Sequence, residues 1–301
     1  MTTLRCGRGA AFARAALAGN PSDGYGGAVL AVTLPAWAAR AEAMPAPVLA
    51  IEPSSSLVEG TVRRFARELE PAAMRAAVRW STAVPRGVGL GGSSALVIAT
   101  VRALCELHDV DLDPARLATF ALTVETEDLG IVAGLQDRVA QAFEGLTFMD
   151  FTGSRNGSGL DGVYEQLDPK LLPPLLIAWR TEAAGHSGML HAALRERHRS
   201  GELFVQEVID GLAAAARGAR DALLAGDLVN FGRCVDHTFD LRRELVALDP
   251  RCVEMIEIAR SSGASANYTG SGGAIVAVCR DERNRRSVSD ALSAIGCEIG
   301  G

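Results

Sequence analysis

Lysine is nearly missing from this 301-residue chain: of its 30 basic side chains only Lys170 is a lysine. No glycine run precedes it, so a phosphate loop of the GxxxxGK[ST] type is excluded. Excess positive charge is missing too. The formal net charge is −6, which argues against nucleic acid or an anionic membrane surface as a partner held by overall charge. No CxxC pair occurs among the six cysteines (Cys6, Cys105, Cys234, Cys252, Cys279, Cys297). Scattered through apolar patterns, they read as reduced thiols of a cytoplasmic protein. The five histidines (His108, His186, His191, His198, His237) show neither HExxH spacing nor cysteine partners, so no His/Cys metal site is expected. No apolar run reaches the ~18 residues of a membrane span. Met1–Gly19 superficially resembles a signal peptide, but Arg14 interrupts its alanine-rich run, and a first strand and turn of a cytoplasmic domain is the better reading.

What is present is a globular mix with 48% apolar and 22% charged residues, which excludes a disordered chain. At about 150 residues per domain, two domains or one large one are expected. Strands are read at Phe12–Ala18, Ala28–Leu34, Val78–Val84, Leu146–Phe151, Leu175–Trp179 and Ala274–Cys279. Helices are read at Thr61–Glu70, Ala95–Leu107, after the Asp113-Pro114 cap, at Gln136–Phe143, Met189–Arg199, Leu203–Leu224, Leu228–Leu248, Cys252–Ser261 and Arg283–Ala294. Residues 152–162, polar and glycine-rich, read as a flexible surface loop. Alternation of strands and helices without an internal repeat gives an α/β or α+β class in two lobes.

Chemistry concentrates in four stretches. Gly87, Gly89, Gly91 and Gly92 lead from a strand into Ser93-Ser94 and an apolar helix. Glycines let backbone N–H groups approach an anion, and the helix start adds unpaired N–H groups and a positive dipole end. The combination reads as a phosphate cradle, or more plainly as a tight turn with a serine cap. It lacks the Rossmann glycine order and ribose acid. Glu125 follows Leu117 and Ala121 on the inward side of its helix. A carboxylate there needs a partner, and Mg²⁺ is a natural one beside phosphate. Asp137 opens a short helix and could accept a proton from a hydroxyl. On their own the two acids read more simply as a member of the Glu127-Asp128 acidic run and as a helix-dipole acid. Arg14 and Asp23 flank the Gly19–Gly27 turn, as cation and polyol acceptor or as a strand-edge arginine and an Asx turn. Thr269–Gly273 is a second backbone wall or a plain turn.

In this order the stretches resemble the GHMP small-molecule kinases: Arg14-Ala-Ala-Leu-Ala-Gly19 with Asp23 and Gly26-Gly27, then Pro85-x-Gly87-x-Gly89-Leu90-Gly91-Gly92-Ser93-Ser94-Ala95, then Thr269-Gly270-Ser271-Gly272-Gly273. Asn20–Gly27, Asp128–Arg138 and Phe239–Arg243 look like plant-type glucuronokinases, and Gly134-Leu-Gln-Asp137 is similar to heptose-phosphate kinases. The resemblance implies an α+β fold, with an N-terminal ATP-binding lobe (1–170) and a ferredoxin-like C-terminal lobe (171–301). It implies ATP along Pro85–Ala95 and Gly270–Gly272, with Mg²⁺ held by Ser93 and Glu125. Asp137 becomes the catalytic carboxylate and Arg14 its cationic neighbour. Asn20, Asp23, Tyr25, Gly26, Gly134, Arg138, Arg242 and Thr269 surround the acceptor.

The acceptor implied is the anomeric hydroxyl of a free sugar. Asn20 stands where a glutamate is common, and Gly92 replaces a serine. His186-Ser-Gly-Met189 replaces a basic Ser-Gly-Lys of plant glucuronokinases, which fits a neutral polyol such as a heptose or a cyclitol, with or without a phosphate. Arg138, Arg242 and Arg243 could pair with an acid on the substrate, although taken singly each reads as a surface charge. A sensor of sugar and ATP without turnover is the contrasting class, and the joint presence of Ser93, Glu125 and Asp137 argues against it. Nothing in the pattern selects an oligomeric state.

Overall fold

The computed structural model describes residues 5–153, 162–181 and 194–300. Two sheets organise them. The first contains β1 (Gly7–Ala18), β2 (Ala28–Pro45), β3 (Ala50–Glu52), β4 (Ala76–Thr82), β5 (Leu146–Asp150) and β6 (Val163–Leu167). Its spine is β2, an 18-residue strand. One edge of β2 pairs with β1 along its length. The other pairs with β5 through Ala28–Val32 and with β4 through Ala39–Pro45, and β3 and β6 complete the order β3-β4-β2-β5-β6.

The strand expected to stop at Leu34 therefore continues for eleven residues. Pro35 cannot donate to a ladder, and the register jumps there, from Ala13↔Leu34 to Phe12↔Ala38, so residues 35–37 stand outside it. Beyond the bulge, buried Ala39, Ala41 and Ala43 alternate with exposed Arg40 and Glu42. That is strand periodicity written in alanine, a residue with little strand preference.

β1 likewise begins earlier than expected, at Gly7. A side chain on Gly9 would place its Cβ 2.0 Å from the Ala99 carbonyl oxygen. Glycine is thus what lets helix α2 (Gly92–His108) lie directly on the strand. That helix is buried on nearly every side, from Ser94 through Leu107, as an all-round apolar helix must be. Helix α1 (Ser56–Glu68) packs beside it. Helix α3 (Pro114–Thr123) begins as expected, with Asp113 accepting from the Arg116 N–H at 2.9 Å. It runs into a π turn at Val124–Asp128, and α4 (Gln136–Phe143) follows.

The second sheet has β7 (Leu175–Trp179), β8 (Ser265–Tyr268), β9 (Ala274–Val278) and β10 (Glu298–Gly300), antiparallel in the order β10-β7-β9-β8. Numbered by appearance this is 4-1-3-2, and with α7 (Pro250–Ser261) and α8 (Glu282–Ala294) between strands it is the ferredoxin-like arrangement expected. Helices α5 (Leu203–Leu224) and α6 (Leu228–Leu245) precede it in the chain. Ala213, Ala216, Ala219 and Leu223 of α5 join the core formed by the first sheet, so one apolar cluster runs through both lobes. Of the helix expected at Met189–Arg199, residues 194–199 are helical. The rest, with His186–Met189 and most of the 152–162 loop, lies outside the described residues. No helix among the described residues is long and apolar enough to cross a membrane.

Candidate active site

The glycine stretch after β4 does what its composition suggests. Gly87, Gly89 and Gly91 all adopt positive φ (74°, 77° and 74°), and Gly91 is the N-cap of α2 with no side-chain cap. The first N–H groups of the helix are therefore left for a ligand. Ala95 is not among them: its N–H already donates to the Gly91 carbonyl at 3.0 Å, and the residue is fully buried. Ser94 is also turned inward, its hydroxyl donating to the same carbonyl at 3.1 Å. Of the expected cradle, Pro85, Gly87, Gly89, Leu90, Gly91, Gly92 and Ser93 line a cavity of about 800 Å³. Leu90 shows it only an edge, being 1% exposed.

The second glycine turn closes on the first. A Cβ on Gly270 would fall 2.4 Å from the Gly89 carbonyl oxygen, and the Thr269 hydroxyl donates to that oxygen at 3.0 Å. Gly270 and Ser271 line the cavity, while Gly272 packs its backbone against Gly89. Thr269, expected at the acceptor, is instead fully buried, and its hydroxyl also meets the Ala274 carbonyl. It ties the two loops together.

Beneath this junction lies Arg14, 3% exposed. Its Nη1 donates to the carbonyls of Gly89 (2.8 Å) and Thr269 (2.6 Å), and its Nε donates to Asp137 Oδ1 (2.7 Å). Asp137 sits in the first turn of α4, more open to the cavity than its partner, with Arg138 Nη1 3.5 Å from its other oxygen. Glu125, carried inward by the π turn, is fully buried. Its Oε1 accepts from the Ser93 hydroxyl at 2.8 Å, and Arg138 donates to its Oε2 through both Nε (2.7 Å) and Nη2. The partner that a buried carboxylate requires is thus Arg138 and not a metal alone.

Arg138 and Arg242 are accordingly no surface charges: they are 4% and 5% exposed. Arg243 does face solvent, 3.7 Å from Glu257. Arg138 also donates to the Gly134 carbonyl at 2.8 Å. Gly134 has no room for a side chain, because its Cβ would lie 2.2 Å from Asp23 Oδ2. Asn20 lines the cavity with its amide already engaged by the Tyr268 carbonyl and by Asn267. Tyr25 borders the cavity against the ring of His198; Gly26, expected beside the acceptor, is outside the lining and instead caps the short 3₁₀ turn Ser22–Tyr25 in the left-handed conformation.

Several lining residues carry little sequence signal. Ser54–Leu57 at the start of α1, Ile131–Ala133, and Arg195 of the helical segment 194–199 all border the cavity. Trp80 and Thr82 join them on the phase of β4 that buries Val78, with Trp80 Nε1 donating to the Pro53 carbonyl at 2.6 Å. That shared phase is the one signal that pointed to them.

Asp23 accepts from the Gln136 N–H at 3.2 Å, and burial pushes its pKa from 3.8 up to about 6. An acid raised in the native state is protonated more readily there than in the unfolded chain. Its stabilising contribution is full below pH 3.8 and is lost as pH rises through about 6. Between pH 4 and 6.5 the melting temperature of the wild type should therefore fall relative to that of Asp23→Asn, which lacks this titration. Parallel calorimetric curves for the two proteins would remove Asp23 from that role.

The GHMP kinases N-terminal domain matches residues 56–145 and the GHMP kinases C-terminal domain matches residues 219–296. Glucuronokinase 1 of Arabidopsis thaliana is 32% identical over 303 residues, 89% of this chain and 83% of that protein. Probable glucuronokinase 2 of the same plant is 34% identical over 304 residues, with the same coverage. The phosphomevalonate kinase structure from Streptococcus pneumoniae covers 98% of both chains with a TM-score of 0.79 at 17% identity, a likeness of fold. With both domains matched, and the glycine loop and Asp137 meeting in one cavity, the chain belongs to the GHMP kinases, phosphotransferases that take ATP as donor and an alcohol as acceptor.

Proposed function

We propose that this chain phosphorylates the anomeric hydroxyl of a free sugar, with a uronate such as its glucuronokinase relatives are named for as the leading acceptor. The observation that carries the reading is Asp137: a carboxylate held at 2.7 Å by buried Arg14, facing the cavity between the glycine loop and Asp23. ATP supplies the phosphoryl group, and Mg²⁺ offsets the charge that develops during transfer.

The donor set fits such an ion. Mg²⁺ takes hard oxygen ligands, keeps several waters, and needs only one or two protein groups besides phosphate. Ser93 lines the cavity, and its hydroxyl donates to Oε1 of Glu125, which is fully buried just behind the lining; Arg138 occupies only the far oxygen of that carboxylate. Ser93 and Glu125 would hold the ion. The glycine N–H groups bind phosphate oxygens, Asp137 orients the acceptor hydroxyl and accepts its proton, and Arg14 balances the charge. Asp23 and Tyr25 receive the remaining sugar hydroxyls. Transfer is then mostly positioning and electrostatics.

ADP release with Mg-ATP across free sugars, uronates, sugar phosphates and cyclitols tests the proposal. Turnover is expected with a free sugar acid, and a sugar 1-phosphate is the expected product. Turnover confined to a sugar that already carries phosphate would overturn it, as would binding of sugar and ATP without ADP release.

A further inference from the structure

Four arginines are buried among the described residues: Arg14, Arg64, Arg138 and Arg242. Three are matched by carboxylates: Arg14 by Asp137, Arg64 by Asp128 and Glu127, and Arg138 by Glu125. Arg242, on α6, is not. Its guanidinium lies over the Tyr268 ring at 5.2 Å, and Nη2 donates to the Gly270 carbonyl at 2.6 Å. Nε and Nη1 are buried without an acceptor. Burial lowers its pKa to about 10, which leaves it charged at neutral pH.

A buried cation with orphan donors costs stability, and each such donor calls for a partner. Arg242 borders the cavity, and only Gly270 separates it from Arg14: a Cβ on that glycine would sit 2.8 Å from an Arg14 nitrogen. Of the buried arginines that line the cavity, Arg14 and Arg138 already have their anions, and Arg86 and Arg195 line it from its more exposed parts.

We propose that Arg242 is the specificity-determining residue of the acceptor site, its guanidinium receiving the carboxylate of a sugar acid as a charge-assisted pair. This rests on the sugar-kinase reading above. D-glucuronate and D-glucose, which differ only at C6, are the matched probes.

In Arg242→Met the preference for glucuronate over glucose, as the ratio of kcat/KM values, should fall on the order of 10²-fold, mainly through KM for glucuronate. Arg242→Lys, which keeps the charge but not the planar fork, should fall between the two. Glucuronate should raise the melting temperature of the wild type but not of Arg242→Met, while Mg-ATP raises both. An unchanged ratio, with both sugars losing equally, would make Arg242 a support for the Gly270 loop and overturn the proposal. So would a glucuronate thermal shift that survives in Arg242→Met. A wild type that turns over no free sugar or uronate of the panel above would remove the sugar-kinase reading, and the glucuronate thermal shift would still decide the role of Arg242.

Discussion

Replacing Asp137 with alanine lowers kcat about 10²–10⁴-fold, the usual contribution of a positioned base, while ATP continues to bind. The two halves of this result have separate causes. Asp137 is the carboxylate that opens to the cavity from the first turn of α4, and its loss leaves the acceptor hydroxyl without a proton acceptor. The phosphate cradle does not depend on it. Arg14 remains fixed by the Gly89 and Thr269 carbonyls, and those bonds hold the two glycine turns together. Single-turnover kinetics together with an ATP titration check both halves. Near-normal kcat would remove Asp137 from its role, and loss of ATP binding would show that Arg14 cannot hold the loops alone. Asp137→Asn keeps the shape and a hydrogen-bond acceptor, so activity above that of the alanine variant measures how much of the effect is orientation.

The second large effect is on stability. Glu125→Ala removes the anion that matches Arg138 where both side chains are almost wholly buried (0% and 5% exposed). Arg138 keeps only the Gly134 carbonyl and a distant Asp137 oxygen. Breaking a buried pair on one side typically costs about 3–5 kcal/mol, because the remaining charge stays in the interior. That is a large share of a typical 5–15 kcal/mol total. Denaturant titration should show the midpoint falling accordingly. The double variant Glu125→Leu/Arg138→Met should recover most of the loss, since apolar side chains of similar size replace the pair. It should not recover activity, and Ser93 should then hold Mg²⁺ so poorly that the Mg²⁺ requirement rises. A double variant as unstable as the single one would show that the pair is not the cause. An unchanged Mg²⁺ titration would remove Glu125 from the ion.

Where the residue pattern was read correctly, the physics was local. Helices Leu203–Leu224 and Gln136–Phe143 and strand Leu175–Trp179 have the limits their periodicity indicates, because apolar spacing and turn residues determine them within a few positions. The second half of β2 was hidden, since an alanine alternation has no strand preference of its own and becomes a strand only with β1 on one edge and β4 on the other. Ser94 and Ala95 belong to the phosphate motif by position, but the turn of α2 faces them inward, and only Gly92 and Ser93 look out.

Alternation of strands and helices is enough for the two-lobe class, and spacing along one element for the glycine loop at the head of an apolar helix; for Glu125 the spacing allowed an inward side or a solvated acidic run. The tertiary structure decided what those groups meet. It set Arg138 against Glu125, thirteen positions apart in the chain, and Arg14 against Asp137, 123 apart. It also withdrew Arg242 from the surface into a place where Nε and Nη1 have no partner among the described residues. Charge pairing between distant elements depends on how the lobes close around one cavity, and no periodicity along the chain encodes that distance.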